Sequence, residues 1–203
     1  MTPAPAGFGR CGRQRARGPL HHATAHSRRG FTLLELAFAI TILVIGLAGI
    51  STAMLGAARA GTRARETDRA SQAARAILER IQAEAFAQAF RSFNGNAADD
   101  PSGAGTAPGA NFAVTGLRPA PGDTDGMPGE ITFPAPTATS NELRENVTNA
   151  ELGMPRDLNG DGAVDGSNHA TDYKLLPVRV SVRWQGADGA TCNVTLKTML
   201  ANY

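Results

Sequence analysis

Hydrophobic and polar residues form three patterns along this chain: a continuous apolar run, a stripe at helical spacing and an alternation typical of strands. The apolar run is the strongest pattern and comes first in the chain. From Leu36 to Ala58 the chain is almost wholly apolar, and no charged residue interrupts the run. An α-helix rises 1.5 Å per residue, so about 20 residues cross the roughly 30 Å of hydrocarbon in a bilayer. The run also exceeds the apolar part of an ordinary secretory signal peptide. The pattern therefore predicts a membrane-spanning helix over residues 31–58.

The next pattern is a stripe of apolar residues at helical spacing. It indicates a helix with one face toward a core. No proline occurs between Phe31 and Asp100, and Asn94-Gly95-Asn96 provides a stop signal. We therefore expect the membrane helix to continue without a break as an amphipathic half over residues 59–93. The stripe consists of Ala70, Ala74, Ile77, Ile81 and Ala85.

The remainder, residues 94–203, favours a small β domain with long loops. Alternation at Val178, Val180, Val182 and Trp184, a turn over residues 185–190, and renewed alternation from Cys192 predict an antiparallel hairpin with one buried face. Shorter strands are expected at residues 112–117 and 130–133, and one long polar excursion at 134–172. The predicted fold class is α+β, with the long N-terminal helix packed on a small antiparallel β-sheet.

Charge changes this picture only at the N-terminus. Residues 1–30 contain six arginines and no acid, and the rest of the chain has a formal charge of −4. The basic character therefore belongs to a leader, and no nucleic-acid partner is predicted. The two cysteines, Cys11 and Cys192, do not make a disulfide scaffold, and Cys192 is expected to be a small apolar residue in a strand.

One carboxylate, Glu35, stands at the start of the apolar segment. An acid at the centre of a membrane helix costs roughly 2.5–3.5 kcal/mol on insertion scales. A paired charge is tolerated where a lone one is not. We therefore expect a cationic partner for Glu35.

The residues Arg29-Gly30-Phe31-Thr32-Leu33-Leu34-Glu35 resemble the prepilin-peptidase signal of the type IV pilin and pseudopilin superfamily. The resemblance implies that residues 1–30 are a leader, removed by cleavage between Gly30 and Phe31. It also implies N-methylation of the new Phe31 amine by the same peptidase, and a role for Glu35 in filament assembly.

Within that superfamily, residues 42–49, residues 76–81 and the C-terminal hairpin are most similar to minor pilins of the PilV, pilus-modification type. The implied partners are prepilin peptidase, other pilin or pseudopilin subunits and an inner-membrane assembly platform. The implied location is the bacterial inner membrane, with the C-terminal domain outside the cytoplasm, and then the pilus or cell surface. A minor pseudopilin of a type II secretion system is the first alternative. A membrane-tethered calcium-binding domain that never polymerises is the second.

The calcium alternative comes from residues 157–165, which read D-x-N-x-D-G-x-x-D and match the first nine positions of an EF-hand-type loop. The twelfth position departs from the pattern, because it is an asparagine in place of glutamate. A plain polar turn is the competing interpretation. The predicted calcium ligands are Asp157, Asn159, Asp161, Ala163, Asp165 and Asn168.

The sequence predicts no enzyme. It contains no Gly-rich phosphate loop, no CxxC pair and no nucleophile with a recognisable base. His169 is expected to be a loop histidine, and Glu142 and Glu145 are expected to be solvated loop or helix-cap charges.

Overall fold

The computed structural model describes residues 30–202. They form two helices, α1 (Leu33–Ala83) and α2 (Phe86–Phe93), followed by the strands β1 (Asn111–Phe112), β2 (Arg118–Pro119), β3 (Gly129–Thr132), β4 (Leu175–Gln185) and β5 (Thr191–Ala201). Short 3₁₀ turns occupy Ala97–Asp99 and Ala150–Leu152. The chain divides into two compact units, one up to Leu47 and one from Ala48 onward. The predicted α+β fold class is confirmed.

The described part of the first unit is the start of α1. Thr32 caps the helix, since its Oγ1 accepts the N–H of Glu35 at 3.2 Å and its carbonyl accepts the N–H of Leu36 at 3.1 Å. All residues from Gly30 to Leu47 are exposed. By length and composition, α1 is able to cross a membrane, in agreement with the predicted spanning segment.

In the second unit, the C-terminal part of α1 packs on the sheet through small residues. Ala70 and Ala74 are fully buried and Ile81 is nearly so, which confirms these positions of the predicted apolar stripe. Polar contacts flank the stripe: the indole N–H of Trp184 donates to Glu66 at 3.3 Å, and Arg63 pairs with Asp188 in the turn after β4. The two alanines share one apolar core with the inward-facing residues of β4.

The prediction of one unbroken helix to residue 93 is wrong. α1 ends at Ala83, and Ala85 has a ψ of 126°, outside the helical range, before α2 begins. No proline causes this break. The new direction of α2 buries Phe90 and Phe93, and the Phe90 ring meets Phe133 edge-to-face at 5.4 Å between centroids. Burial of aromatic rings outweighs the few helical hydrogen bonds that are lost, and Ala85 of the predicted stripe is exposed.

β4 is the centre of the sheet. β5 pairs with it along its whole length, from Leu175 opposite Ala201 to Gln185 opposite Thr191. The other edge of β4 pairs with β3 and β2, and β1 pairs with β3; every pairing is antiparallel. The predicted hairpin is therefore confirmed. Its predicted inward face is buried at Val178, Val180, Val182 and Trp184.

The strand predicted over residues 112–117 is replaced by two short strands and a turn. β1 ends at Phe112, and the N–H of Leu117 then closes a turn by donating to the carbonyl of Val114 at 3.1 Å. Gly116 has a φ of 81°, which suits a turn and not a strand. The predicted strand at 130–133 is observed one residue earlier, as β3.

Tight packing of α1 on β4 generates a first prediction. Replacing Ala74 by Leu should lower the free energy of unfolding by about 1–3 kcal/mol, because the larger side chain has no room at a fully buried position. The matched control is Ala76→Leu on the exposed side of the same helix, which should change stability by less than about 0.5 kcal/mol. Denaturation of the detergent-solubilised chain, followed by Trp184 fluorescence, measures both. Equal losses in the two variants would contradict the packing described.

Candidate functional site

The predicted processing residues lie at the start of α1. Gly30 and Phe31 precede the first helical residue, Leu33, and the Phe31 side chain is 80% exposed. Among residues 30–202, no group other than its chain neighbours lies within 4 Å of the position that a Cβ on Gly30 would occupy. The peptide bond between Gly30 and Phe31 therefore lies outside the helix, between two exposed residues. Cleavage at this bond and methylation of Phe31 stay predictions.

Glu35 occupies the first turn of α1 and is exposed. A carboxylate there is favoured by the positive end of the helix dipole. Thr32 and Glu35 also have the T-x-x-E spacing of a capping box. The role of Thr32 as the cap was not predicted, although a T-x-x-E spacing before an apolar run is a recognised helix-start signal.

The predicted calcium ligands in residues 157–163 form a tight turn that hydrogen-bonds to its own backbone. The Asp157 carboxylate accepts the N–H groups of Gly160 at 2.5 Å and Gly162 at 2.8 Å. The Asp161 carboxylate accepts the N–H of Ala163 at 2.8 Å. That bond, together with one from the Asn159 amide, holds the pKa of Asp161 below its ordinary value. The side-chain oxygens therefore already have hydrogen-bond partners within the turn.

The side chain of the last predicted ligand, Asn168, hydrogen-bonds to the backbone. Its Oδ1 accepts the N–H of Leu143 at 3.1 Å and the N–H of Ala170 at 3.0 Å. The amide thus joins two segments of the long loop. Calcium binding by the predicted set, including Asp165 and Asn168, stays a prediction.

A buried carboxylate lies beneath this turn. Glu145 is only 1% exposed, so its predicted role as a solvated charge is wrong. One carboxylate oxygen accepts the N–H groups of Leu158 at 2.6 Å and Asn159 at 3.2 Å, and the other accepts the N–H of Asp165 at 3.2 Å. These charge-assisted hydrogen bonds replace the water that the carboxylate loses on burial. No motif in the sequence links Glu145 to residues 157–165.

His169 completes the group; it lies in a loop, as predicted, but it is not solvated. The ring is buried. Its Nε2 lies 3.1 Å from Asp165 Oδ1 and 3.8 Å from Glu145 Oε2, while its Nδ1 lies 3.2 Å from Asp172 Oδ1. Burial lowers the pKa of the imidazole, but the hydrogen bonds to Asp165 and Asp172 and the charge of Glu145 outweigh it. The net pKa of His169 is raised above 6.5.

Asp165 is the exposed member of this group. The backbone N–H of Ser167 and then the His169 ring hold the pKa of its carboxyl below the ordinary value. One potential ligand atom from each of Glu145, Asp165 and His169 lies within 4.8 Å of the others, so the three residues could hold a metal ion. Of the ligands predicted from sequence, only Asp165 belongs to this group.

Comparison with known families identifies one segment of the chain. The model of the prokaryotic N-terminal methylation motif matches residues 25–51. Neither the curated proteins nor the solved structures contain a match to this chain. The motif confirms the type IV pilin-like signal inferred from residues 29–35, and it supports a precursor of the pilin or pseudopilin kind. That signal belongs to structural proteins and not to enzymes, and it fits a membrane-anchored chain. The predicted leader, apart from Gly30, lies outside the described residues.

The turn generates a second prediction. The wild-type chain should take up calcium at the millimolar concentrations found outside cells, and Asp161→Ala should abolish that uptake by removing a carboxylate from the fifth position of the loop. Isothermal calorimetry with calcium chloride measures both. If the wild-type chain takes up no calcium at about 5 mM, the turn is a plain polar turn.

Proposed function

We propose that this chain is a minor type IV pilin of the PilV type, matured by prepilin peptidase. The observation that carries the proposal is the methylation motif at residues 25–51, which ends inside an apolar α1 whose C-terminal part packs on an antiparallel sheet. After cleavage between Gly30 and Phe31, residues 1–30 are lost and the apolar segment stays on the mature chain. The protein is then anchored in the bacterial inner membrane, with the β domain outside the cytoplasm.

The charges around the cleavage point support this sequence of events. Arg28 and Arg29 keep that end of the chain on the cytoplasmic side by the positive-inside rule. Cleavage creates a new amine on Phe31, and the only nearby acid in the segment, Glu35, is in the first turn of α1. The amine of the same subunit or of a neighbouring subunit provides the cation that Glu35 needs in hydrocarbon. Pairing between subunits sets their register in a filament.

Two alternatives share part of this chemistry. A minor pseudopilin of a type II secretion system uses the same processing and the same fold, and differs in the machine it joins. A membrane-tethered calcium-binding domain needs neither Gly30 nor Glu35. The complete processing signal favours a polymerising subunit over a tether. Deletion of the gene separates the first two, because loss of pili indicates a pilin and accumulation of unsecreted protein indicates a pseudopilin.

The proposed maturation generates a third prediction. Mass spectrometry of the protein isolated from its cells should find an N-terminal methylated phenylalanine at residue 31. The control is Gly30→Val, which should keep residues 1–30 because a branched side chain obstructs the extended backbone in the cleft. A wild-type chain that still begins upstream of Phe31, or begins beyond the apolar segment, would contradict the proposal.

Assembly generates a fourth prediction. Glu35→Ala should be cleaved normally but should enter filaments several-fold less, because the Phe31 amine loses its carboxylate partner. The matched control is Thr41→Ala in the same segment, where the hydroxyl donates only to the carbonyl of Ala37 at 2.8 Å. Immunoblots of sheared filaments and of membranes measure incorporation and cleavage separately. Normal incorporation of Glu35→Ala would show that assembly does not depend on the Glu35 carboxylate.

A further inference from the structure

We propose that Glu145, Asp165 and His169 form a zinc site, with Asp172 orienting the histidine. This site is distinct from the calcium loop predicted by the sequence, since it uses a histidine and a carboxylate from outside that loop. The proposal is independent of the proposed pilin function. It depends only on the geometry of the long segment between β3 and β4.

Each ring nitrogen of His169 faces carboxylate oxygens: Nε2 lies 3.1 Å from Asp165 and 3.8 Å from Glu145, and Nδ1 lies 3.2 Å from Asp172. A neutral imidazole has one N–H hydrogen and donates on one side only, so its other nitrogen would aim a lone pair at an anion. A second proton on the ring, or a metal ion bound at Nε2, removes this repulsion.

Asp172 is placed to accept a hydrogen from the other ring nitrogen. Nδ1 lies 3.2 Å from Asp172 Oδ1, so the tautomer with its hydrogen on Nδ1 donates to that carboxylate. Metal-binding histidines almost always use the second ring nitrogen in this way, because the bond fixes the tautomer and the ring orientation. Nε2 is then the ring atom left to bind an ion.

Hydrogen bonds hold Glu145 and His169 in place before any ion binds. Three backbone N–H groups fix the Glu145 carboxylate, and the N–H of His169 donates to the carbonyl of Leu143 at 2.8 Å. The histidine side chain is 6% exposed and that of Glu145 is 1% exposed, whereas that of Asp165 is 47% exposed. Two ligands are thus held rigidly in the interior, and the third is at the surface, where an ion enters.

The donor set selects the metal. Zinc binds imidazole nitrogen and carboxylate oxygen at about 2.0–2.2 Å, which places tetrahedral ligand atoms about 3.3 Å apart. His169 Nε2 lies 3.1 Å from the Asp165 oxygen and 3.8 Å from the Glu145 oxygen, close to that value, and all three ligand atoms lie within 4.8 Å of one another. Calcium prefers six to eight oxygen ligands and does not suit a histidine. Zinc would bind the segment around Glu145 to the segment from Asp165 to Asp172.

The test is calorimetric titration of the metal-stripped full chain in detergent with zinc chloride. Every protein carries alanine in place of His21, His22 and His26, so that leader histidines contribute no binding. We expect one zinc ion per chain. Asp165→Asn should weaken binding roughly ten-fold or more, because its amide is a poorer ligand.

The matched control is Asp161→Asn. Both aspartates are exposed, and both accept a backbone N–H two residues on, at 2.7 Å for Asp165 and 2.8 Å for Asp161. Asp161→Asn should leave the zinc affinity unchanged. Asp172→Asn should weaken binding by about 10–100-fold through misorientation of His169, and circular dichroism should show the native fold in each variant.

Three results would each overturn the proposal. One is the absence of zinc uptake, in which case a proton on His169 is the cation. Another is an equal loss of affinity in Asp161→Asn and Asp165→Asn, which would place the ion in the calcium-type turn. The third is unchanged zinc affinity in His169→Gln, which would place the ion elsewhere in the chain.

Discussion

The contact between α1 and β4, through a shared apolar core and the hydrogen bond from Trp184 to Glu66, is the interaction on which the β domain depends. Ala70 and Ala74 are fully buried in the same core as Val178, Val180, Val182 and Trp184. Larger residues at the two alanines would separate helix and strand and uncover that apolar face. β5, β3 and β2 all pair with β4, so the position of the whole sheet follows from this one contact.

The long segment between β3 and β4 is stabilised by a different kind of interaction. It has no strand of its own and only one short 3₁₀ turn. Polar side chains replace the missing regular hydrogen bonds: Glu145 accepts three backbone N–H groups, and Asn168 accepts two more. Buried backbone groups must find partners, and here charged and amide side chains provide them. The same arrangement collects carboxylates around His169, where a second ring proton or a metal ion would balance their charge.

Helix packing and the processing signal impose separate demands on α1. A membrane-spanning segment needs an apolar surface all round, and the proposed pairing between subunits needs the one acid near its start. The part of α1 that packs on the sheet needs small residues on one side only. Side-chain type and spacing along the single helix α1 meet both requirements. Because these features are local in sequence, residues 29–35 were sufficient to recognise the signal, and the family model matches the region that contains them.

Local periodicity determined the elements that could be predicted. The apolar run, the Ala70–Ala74–Ile81 stripe and the alternation from Val178 to Trp184 each repeat at the period of a helix or a strand, and each was found where expected. The break at Ala85 and the burial of Glu145 and His169 were decided by the tertiary structure alone. They depend on Phe133 and on the amides of Leu158, Asn159 and Asp165, which are distant in sequence from the groups they contact. No local pattern records such contacts, because they exist only after the chain has folded.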